Sequence, residues 1–308
     1  MARVLVLANE PNGFPADIHD LINATFTRFH LRSQCWNPIV WAAASRAMRE
    51  FGPDVLHCVG LQGLRLAAVV NRKGIPFVYS GVDLGGMDRI TRRYAARGLA
   101  LVSTESEREA LARFGLRAER IPVGVAAPSV PADHSDEHGS QVILFGGGLD
   151  EASDPRQAAW AFDCLKYALP GAEVVFLGRG PQEGEIRRFS FGLGYDDYRV
   201  RFAPNRERPE WLQRAGVVWL THPRGGAPAM LSALARGLPV VAMHTSEIAE
   251  YASEGLTLVP AGDRIALASA TLKLFRNPRP AVPVPRFPIS AMVQKYAAVY
   301  DALAGSAA

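Results

Sequence analysis

Short apolar runs alternate with stretches of helical period along almost the whole chain. The runs at 4–7, 55–58, 77–79, 99–102 and 120–123 are continuous, the pattern of strands buried on both faces of a parallel sheet. Between them, 38–51 and 64–72 carry apolar residues at helical spacing. A helix over 105–114 opens with a capping box, Thr104 with Glu107, and Gly115 ends it. Residues 127–140 are rich in Pro, Ser, Asp and His without apolar period and read as a linker. The alternation then restarts, with strands at 142–145, 173–177, 199–203, 217–220, 239–243 and 256–259. Helices are predicted at 155–169, 180–189, 208–215 and 264–275, and after a Pro-rich crossing at 278–288 a last amphipathic helix covers 290–303. This predicts an α/β protein with two Rossmann-like, doubly wound domains facing a cleft. Their boundaries are 1–126 and 141–285, and residues 286–308 form a terminal helix crossing back to the first domain. Tyr296, Tyr300 and Leu303 stand at core spacing on that helix.

The stretch 219–242 holds the most specific local chemistry. A strand end runs into Gly225 and Gly226, then into a short helix with Pro228 in its first turn and Gly237 past its end. A glycine loop feeding a helix N-terminus offers unpaired N–H groups and the positive end of the helix dipole to phosphate or sugar hydroxyls. Gly146, Gly147 and Gly148 follow another strand end and read either as a second phosphate cradle or as a plain tight turn.

Composition narrows the class. Hydrophobic residues at 48% and charged residues at 21% describe a globular protein with real cores. No apolar run reaches the roughly 20 residues that cross a bilayer. Residues 3–8 read as a first strand rather than a leader. Cys35, Cys58 and Cys164 have no paired spacing, which predicts neither a disulfide framework nor a zinc site and fits a cytoplasmic location. The net charge of +4 comes from the first half, where residues 1–125 hold 16 Lys/Arg against 11 Asp/Glu. That excess fits an anionic acceptor, a peripheral position at the inner face of the membrane, or simply a solvated Arg-rich surface. No basic-aromatic motif accompanies it, so no nucleic-acid partner is expected. His134 and His138, among Asp133, Asp136 and Glu137, reflect linker composition rather than a metal site.

An ordered series of motifs runs through both halves. It includes Pro53-Asp-Val-Leu-His57, Gly74-Ile-Pro-Phe-Val78, Ser103-Thr-Glu-Ser-Glu-Arg108 and Arg120-Ile-Pro-Val-Gly-Val125. It continues with Phe145-Gly-Gly-Gly-Leu149, Phe176-Leu-Gly-Arg-Gly-Pro181, Arg199-Val-Arg-Phe202, Ala233-Leu-Ala-Arg-Gly-Leu-Pro-Val-Val-Ala242 and Leu258-Val-Pro-Ala-Gly-Asp263. The series resembles retaining, nucleotide-sugar-dependent glycosyltransferases of the GT-B, family 4 type, with an abbreviated first domain. The resemblance implies transfer of a sugar from a nucleoside-diphosphate sugar to a glycan, lipid-linked or protein acceptor. It implies no metal and no cofactor beyond the donor itself. The donor would sit on residues 145–250, and the acceptor on 9–15, with Asn12 and Gly13, and on 80–90, with Asp83.

The resemblance also locates departures. The family's two donor-site carboxylates, spaced E-x7-E, fall at Arg224 and Ser232, and its loop Arg falls at Gly148. Its Lys falls near Ser153, leaving Arg156 as the nearest cation; the Gly pair before its I-P-E falls at Ser246 and Glu247, and Glu250 matches that Glu. A carboxylate accepts two hydroxyl protons, Ser offers one oxygen, and Arg only donates. Arg224 suits phosphate as a compensating ligand, or is a surface Arg. His222 stands beside the donor loop, and His57 ends a buried strand as a base or a structural His. The resemblance assigns no catalytic residue. A protein of the same fold that is catalytically silent, acting as a partner or activator of an active glycosyltransferase or as a homo-oligomer, is the alternative.

Overall fold

The computed structural model describes residues 2–8, 25–30, 37–82, 84–126, 141–194, 199–277 and 287–305. The chain divides into two compact units, Met1–Val123 with Ile289–Ala308, and Gly124–Pro288. The linker at 127–140 and most of the Pro-rich crossing lie outside the described residues.

The first unit is a six-stranded parallel sheet: β1 (Arg3–Ala8), β2 (Thr25–His30), β3 (Val55–Val59), β4 (Phe77–Ser80), β5 (Leu99–Val102) and β6 (Ala118–Arg120). The order is β2-β1-β3-β4-β5-β6. β2 was not foreseen, because residues 25–30, with Phe only at 26 and 29, show neither the continuous apolar run of the other strands nor a two-residue alternation. Helices α1 (Pro38–Phe51), α2 (Gly60–Val70), α3 (Arg89–Ala95) and α4 (Glu105–Arg113) follow in turn. α1 is delimited chemically: the Asn37 side chain accepts from the Ile39 N–H at 2.9 Å, Pro38 opens the first turn, and Gly52 closes it with φ +57°. The Thr104–Glu107 capping box opens α4.

Strand alternation sends residues to two separate cores. Leu5 and Leu7 of β1 join Ala44, Leu64, Phe77 and Tyr94 on one face, while Val4, Val6 and Ala8 meet Met292, Tyr296 and Tyr300 of the terminal helix Ile289–Gly305 on the other. The fit is tight at Gly63, where an added Cβ would lie 2.3 Å from the Leu7 carbonyl oxygen. His57 is fully buried and structurally employed: Nδ1 lies 2.8 Å from the Tyr300 hydroxyl and Nε2 2.9 Å from Ser80 Oγ. This settles the sequence alternative for His57 toward a core residue that holds the terminal helix.

The second unit repeats the plan with β7 (Val142–Phe145), β8 (Glu173–Leu177), β9 (Val200–Ala203), β10 (Val217–Leu220), β11 (Val240–Met243) and β12 (Leu256–Val259), ordered β12-β11-β10-β7-β8-β9. Its helices are α5 (Pro155–Leu165), α6 (Glu183–Gly192), α7 (Arg208–Arg214), α8 (Ala227–Leu234), α9 (Ser246–Glu250) and α10 (Arg264–Arg276), and the terminal helix is α11. Phe145, Phe176 and Trp219 build the core under α5 and α10, where Trp219 Nε1 donates to Thr271 Oγ1 at 2.7 Å.

Replacing Tyr300 with Phe removes one buried partner of the His57 ring. We expect a loss of about 1–3 kcal/mol, seen as a lower urea midpoint at constant slope. An unchanged midpoint would mean that this bond does not help hold α11 to the sheet.

Candidate functional site at the switch point of the second unit

β7 is the first strand of the second unit, and the chain adds β8 and β9 on one side and β10 on the other. Strand order therefore reverses between β7 and β10. Crevices for ligands form at the carboxyl ends of strands at such a reversal. The loops there are residues 146–154 after β7 and 221–226 after β10.

The first loop is turned inward. An added Cβ on Gly146 would lie 2.7 Å from Leu220 and 2.9 Å from Val218, and one on Gly147 would lie 2.6 Å from Ser153. The Gly146 N–H donates to the Trp219 carbonyl at 2.9 Å, and the Gly148 N–H to Ser153 Oγ at 2.9 Å. Two amides that a phosphate cradle would need are thus spent inside the fold, and close packing accounts for these glycines. Ser153 is fixed in turn by its N–H to Asp150 Oδ1, 3.0 Å. Arg156, the cation nearest this loop, is ion-paired with Glu185. α5 opens at Asp154, which holds φ +46° and makes no side-chain cap.

The second loop is more open. Thr221 Oγ1 lies 2.8 Å from the carbonyls of both Ser153 and Asp154, tying the two loops together with one shared proton. Gly225 and Gly226 take φ +77° and +97°, values that L side chains rarely adopt. Gly226 is the N-cap of α8 and brings no side-chain cap, so the first-turn amides of Ala227 and Ala229 have no intrahelical acceptor; Pro228 has no N–H to satisfy. Arg224 is exposed and forms no ion pair or hydrogen bond among the described residues. Glu247 intrudes on this setting: its Oε2 lies 3.3 Å from where a Gly225 Cβ would stand. The Thr245 hydroxyl donates to the Gly225 carbonyl at 3.2 Å and also caps α9 through the Ile248 N–H.

His222 packs its ring on Gly226, and its Nδ1 is buried without a hydrogen-bond partner among the described residues. Burial lowers its pKa, and the Asp150 carboxylate opposes that shift. Ser232 faces Arg236, whose Nη1 donates to the Ser232 carbonyl at 2.7 Å and to its Oγ at 2.8 Å. Sequence reasoning passed over Arg236, although its i+4 spacing from Ser232 was the available signal. Glu250 is half-buried at the end of α9. Asn12, Gly13 and Asp83 lie outside the described residues. Among the described residues, no three His, Cys, Asp or Glu side chains converge as a metal site.

The His222 geometry has a pH signature. Its folded pKa lies below the ordinary 6.5, so on acidification the unfolded chain takes up the proton first. Stability from this group is complete above that value and is lost as pH falls below it. His222→Asn should flatten the acid side of the stability curve, measured as urea midpoints across that window. An unchanged acid slope would contradict the buried, neutral imidazole.

Comparison with known proteins bears on the fold and on the sequence of the second unit. Residues 140–277 match the family model described as "Glycosyl transferases group 1". Phosphatidyl-myo-inositol mannosyltransferase of Mycobacterium leprae (strain TN) is 29% identical over 215 residues, 65% of this chain and 54% of its own length. Tetraacyldisaccharide 4'-kinase of Anaeromyxobacter dehalogenans (strain 2CP-C) is 28% identical over 178 residues, 53% of this chain and 45% of its own length. The chain spans about half the length of these curated relatives. Among solved structures, Anabaena Alr3699/HepE in complex with UDP and glucose superposes with a TM-score of 0.79 at 16% identity, over 98% of this chain and 100% of that one. Sucrose-phosphate synthase (tll1590) from Thermosynechococcus elongatus gives 0.80 at 13% identity, over 99% and 100%. The two parallel-sheet units are thus a GT-B fold, and residues 140–277 within it resemble the group 1 glycosyltransferases.

Proposed function

We propose that the second unit binds a nucleoside-diphosphate sugar at the carboxyl ends of β7 and β10, and that the protein transfers the sugar to an acceptor with retention. The observation that carries this reading is the uncapped N-terminus of α8, entered through two glycines at the strand reversal and flanked by the unpartnered Arg224. Amides and a guanidinium so placed meet the charge that builds on a diphosphate leaving group. His222 Nδ1, the neighbouring buried polar atom in want of a partner, is a natural contact for a donor hydroxyl or phosphate oxygen. The reading assigns no metal ion, because the α8 amides and Arg224 supply the positive field. The Anabaena neighbour, solved with UDP and glucose, supports a uridine or related nucleotide.

Both curated relatives are named for acylated compounds, which favours a lipid-linked acceptor over a protein one. The first unit offers a suitable surface: Arg89, Arg92, Arg93 and Arg97 are exposed on and just after α3, beside Ile90 (72% exposed) and Phe114 (47%). No described helix is long and apolar enough to cross a membrane, so contact with lipid would be peripheral.

The second reading, a silent homologue serving as a partner protein, draws on the inward-turned amides of Gly146 and Gly148 and on the missing carboxylates at Arg224 and Ser232. Titration calorimetry with UDP-, GDP- and ADP-sugars separates the two. Transfer requires that one donor bind and be turned over, that Arg224→Ala weaken it about tenfold, and that Glu247→Gln, which removes a competing anion, strengthen it. No binding of any donor at millimolar concentration would overturn the transferase reading. Sedimentation with phosphatidylglycerol vesicles, lost at high salt, tests the lipid contact in the same preparations; no sedimentation at low salt would remove it.

A further inference from the structure

The outer edge of the second sheet carries a cavity well apart from the strand reversal. β12 is the outermost strand, and α10 follows it and runs back along it. Between strand and helix lies an open cavity of about 620 Å³. Val259, Ala266, Ala270 and Leu274 give it an apolar floor, and Leu258, 36% exposed, stands at its rim. Polar groups gather toward one end. Because α10 runs against β12, Lys273 and Asn277 lie near the start of the strand, and Ala266 and Pro260 near its finish. Lys273 is exposed and forms no ion pair among the described residues. An added strand would find few partners here. The ladder bonds to β11 use the carbonyls of Gly255 and Val259, so the backbone groups of Leu256 and Leu258 face outward. The Leu256 N–H already donates to the Ser253 carbonyl at 3.2 Å, and Pro260 has no N–H to give. One side chain inserted from a second copy would leave most of the cavity empty.

We propose that the cavity between β12 and α10 binds a medium-length fatty acid, its chain along the strand and its carboxylate at Lys273. The chemistry selects the ligand class. A largely apolar space of this size with a few polar groups at one end suits a small amphipathic molecule. The four residues of β12 span roughly 13 Å, which sets the length of chain that the floor can cover. The Lys273 ammonium supplies the opposite charge for the head, and the Ser269 hydroxyl and the Asn277 amide are further donors on the same helix. The site is separate from the N-terminus of α8 and stands whether or not a nucleotide sugar binds there.

The test titrates the intact protein by calorimetry with decanoate and with decanol, each below its aggregation concentration. Decanoate should bind, and decanol about tenfold more weakly, since only the carboxylate meets the ammonium as an ion. Lys273→Gln should erase that preference and leave decanol affinity as it was. Lys273 is exposed, so this variant should match the parent's melting temperature without ligand. Ala270→Trp, which fills the floor, should abolish binding of both. Ser269→Trp, at the exposed rim, obstructs the cavity without touching the core and should weaken both about tenfold. No decanoate binding, equal affinity for decanol in the parent, or binding indifferent to both Trp variants would overturn the proposal. A protein that ignores decanoate but dimerises, and loses the dimer in Leu258→Asp, would overturn it in favour of a second copy on this edge.

Discussion

The site in the second unit depends on one hydroxyl. Thr221 Oγ1 sits 2.8 Å from the carbonyls of Ser153 and Asp154, across the junction where β7 and β10 run side by side and strand order reverses. That contact fixes the loop after β10 to the loop after β7. It therefore sets the direction in which Gly225 and Gly226 present the N-terminus of α8. The loop after β7 is the supporting partner, its amides spent on Trp219 and Ser153. The loop after β10 leads into α8 amides that have no intrahelical acceptor, with Arg224 and His222 beside them. A doubly wound sheet provides the crevice, and these contacts decide which of its two loops has free amides.

Electrostatics sharpen the picture. Arg156, the cation the sequence places near the first loop, is neutralised by Glu185, while Arg224, Arg208 and Arg236 have no carboxylate partner among the described residues. Glu247 brings negative charge beside Gly225. An anion entering there must outcompete a carboxylate already in the field of α8, so affinity at this point reflects a difference between two charges rather than one attraction. The protein thus has a GT-B scaffold while its charge pattern departs from the acidic one that the family resemblance implies.

Much of the fold was legible in the residues. Asn37, Pro38 and Gly52 bound α1 to the residue, because capping chemistry is local and leaves few alternatives. Two doubly wound units followed from continuous apolar strands alternating with helices, the GT-B fold from the resemblance of the motif series, and the structural comparisons agree. β2 was invisible because its two Phe residues stand three apart and give neither an apolar run nor an alternation, and α3 because its Arg residues outnumber the buried Thr91, Tyr94 and Ala95. Site chemistry was read less well. Glycines at 146–148 look alike in sequence whether their amides face a ligand or the core, and only the contacts with Val218, Leu220 and Ser153 distinguish the two.

The account's central claim is that the α8 N-terminus and the loop before it receive the donor. Hydrogen exchange followed by mass spectrometry, with and without a saturating UDP-sugar, tests it directly. Peptides covering residues 219–231 should exchange more slowly in the presence of donor, since ligand oxygens would take up amides that now have no intrahelical acceptor. Donor binding that leaves exchange across 219–231 unchanged and protects other segments instead would contradict the claim.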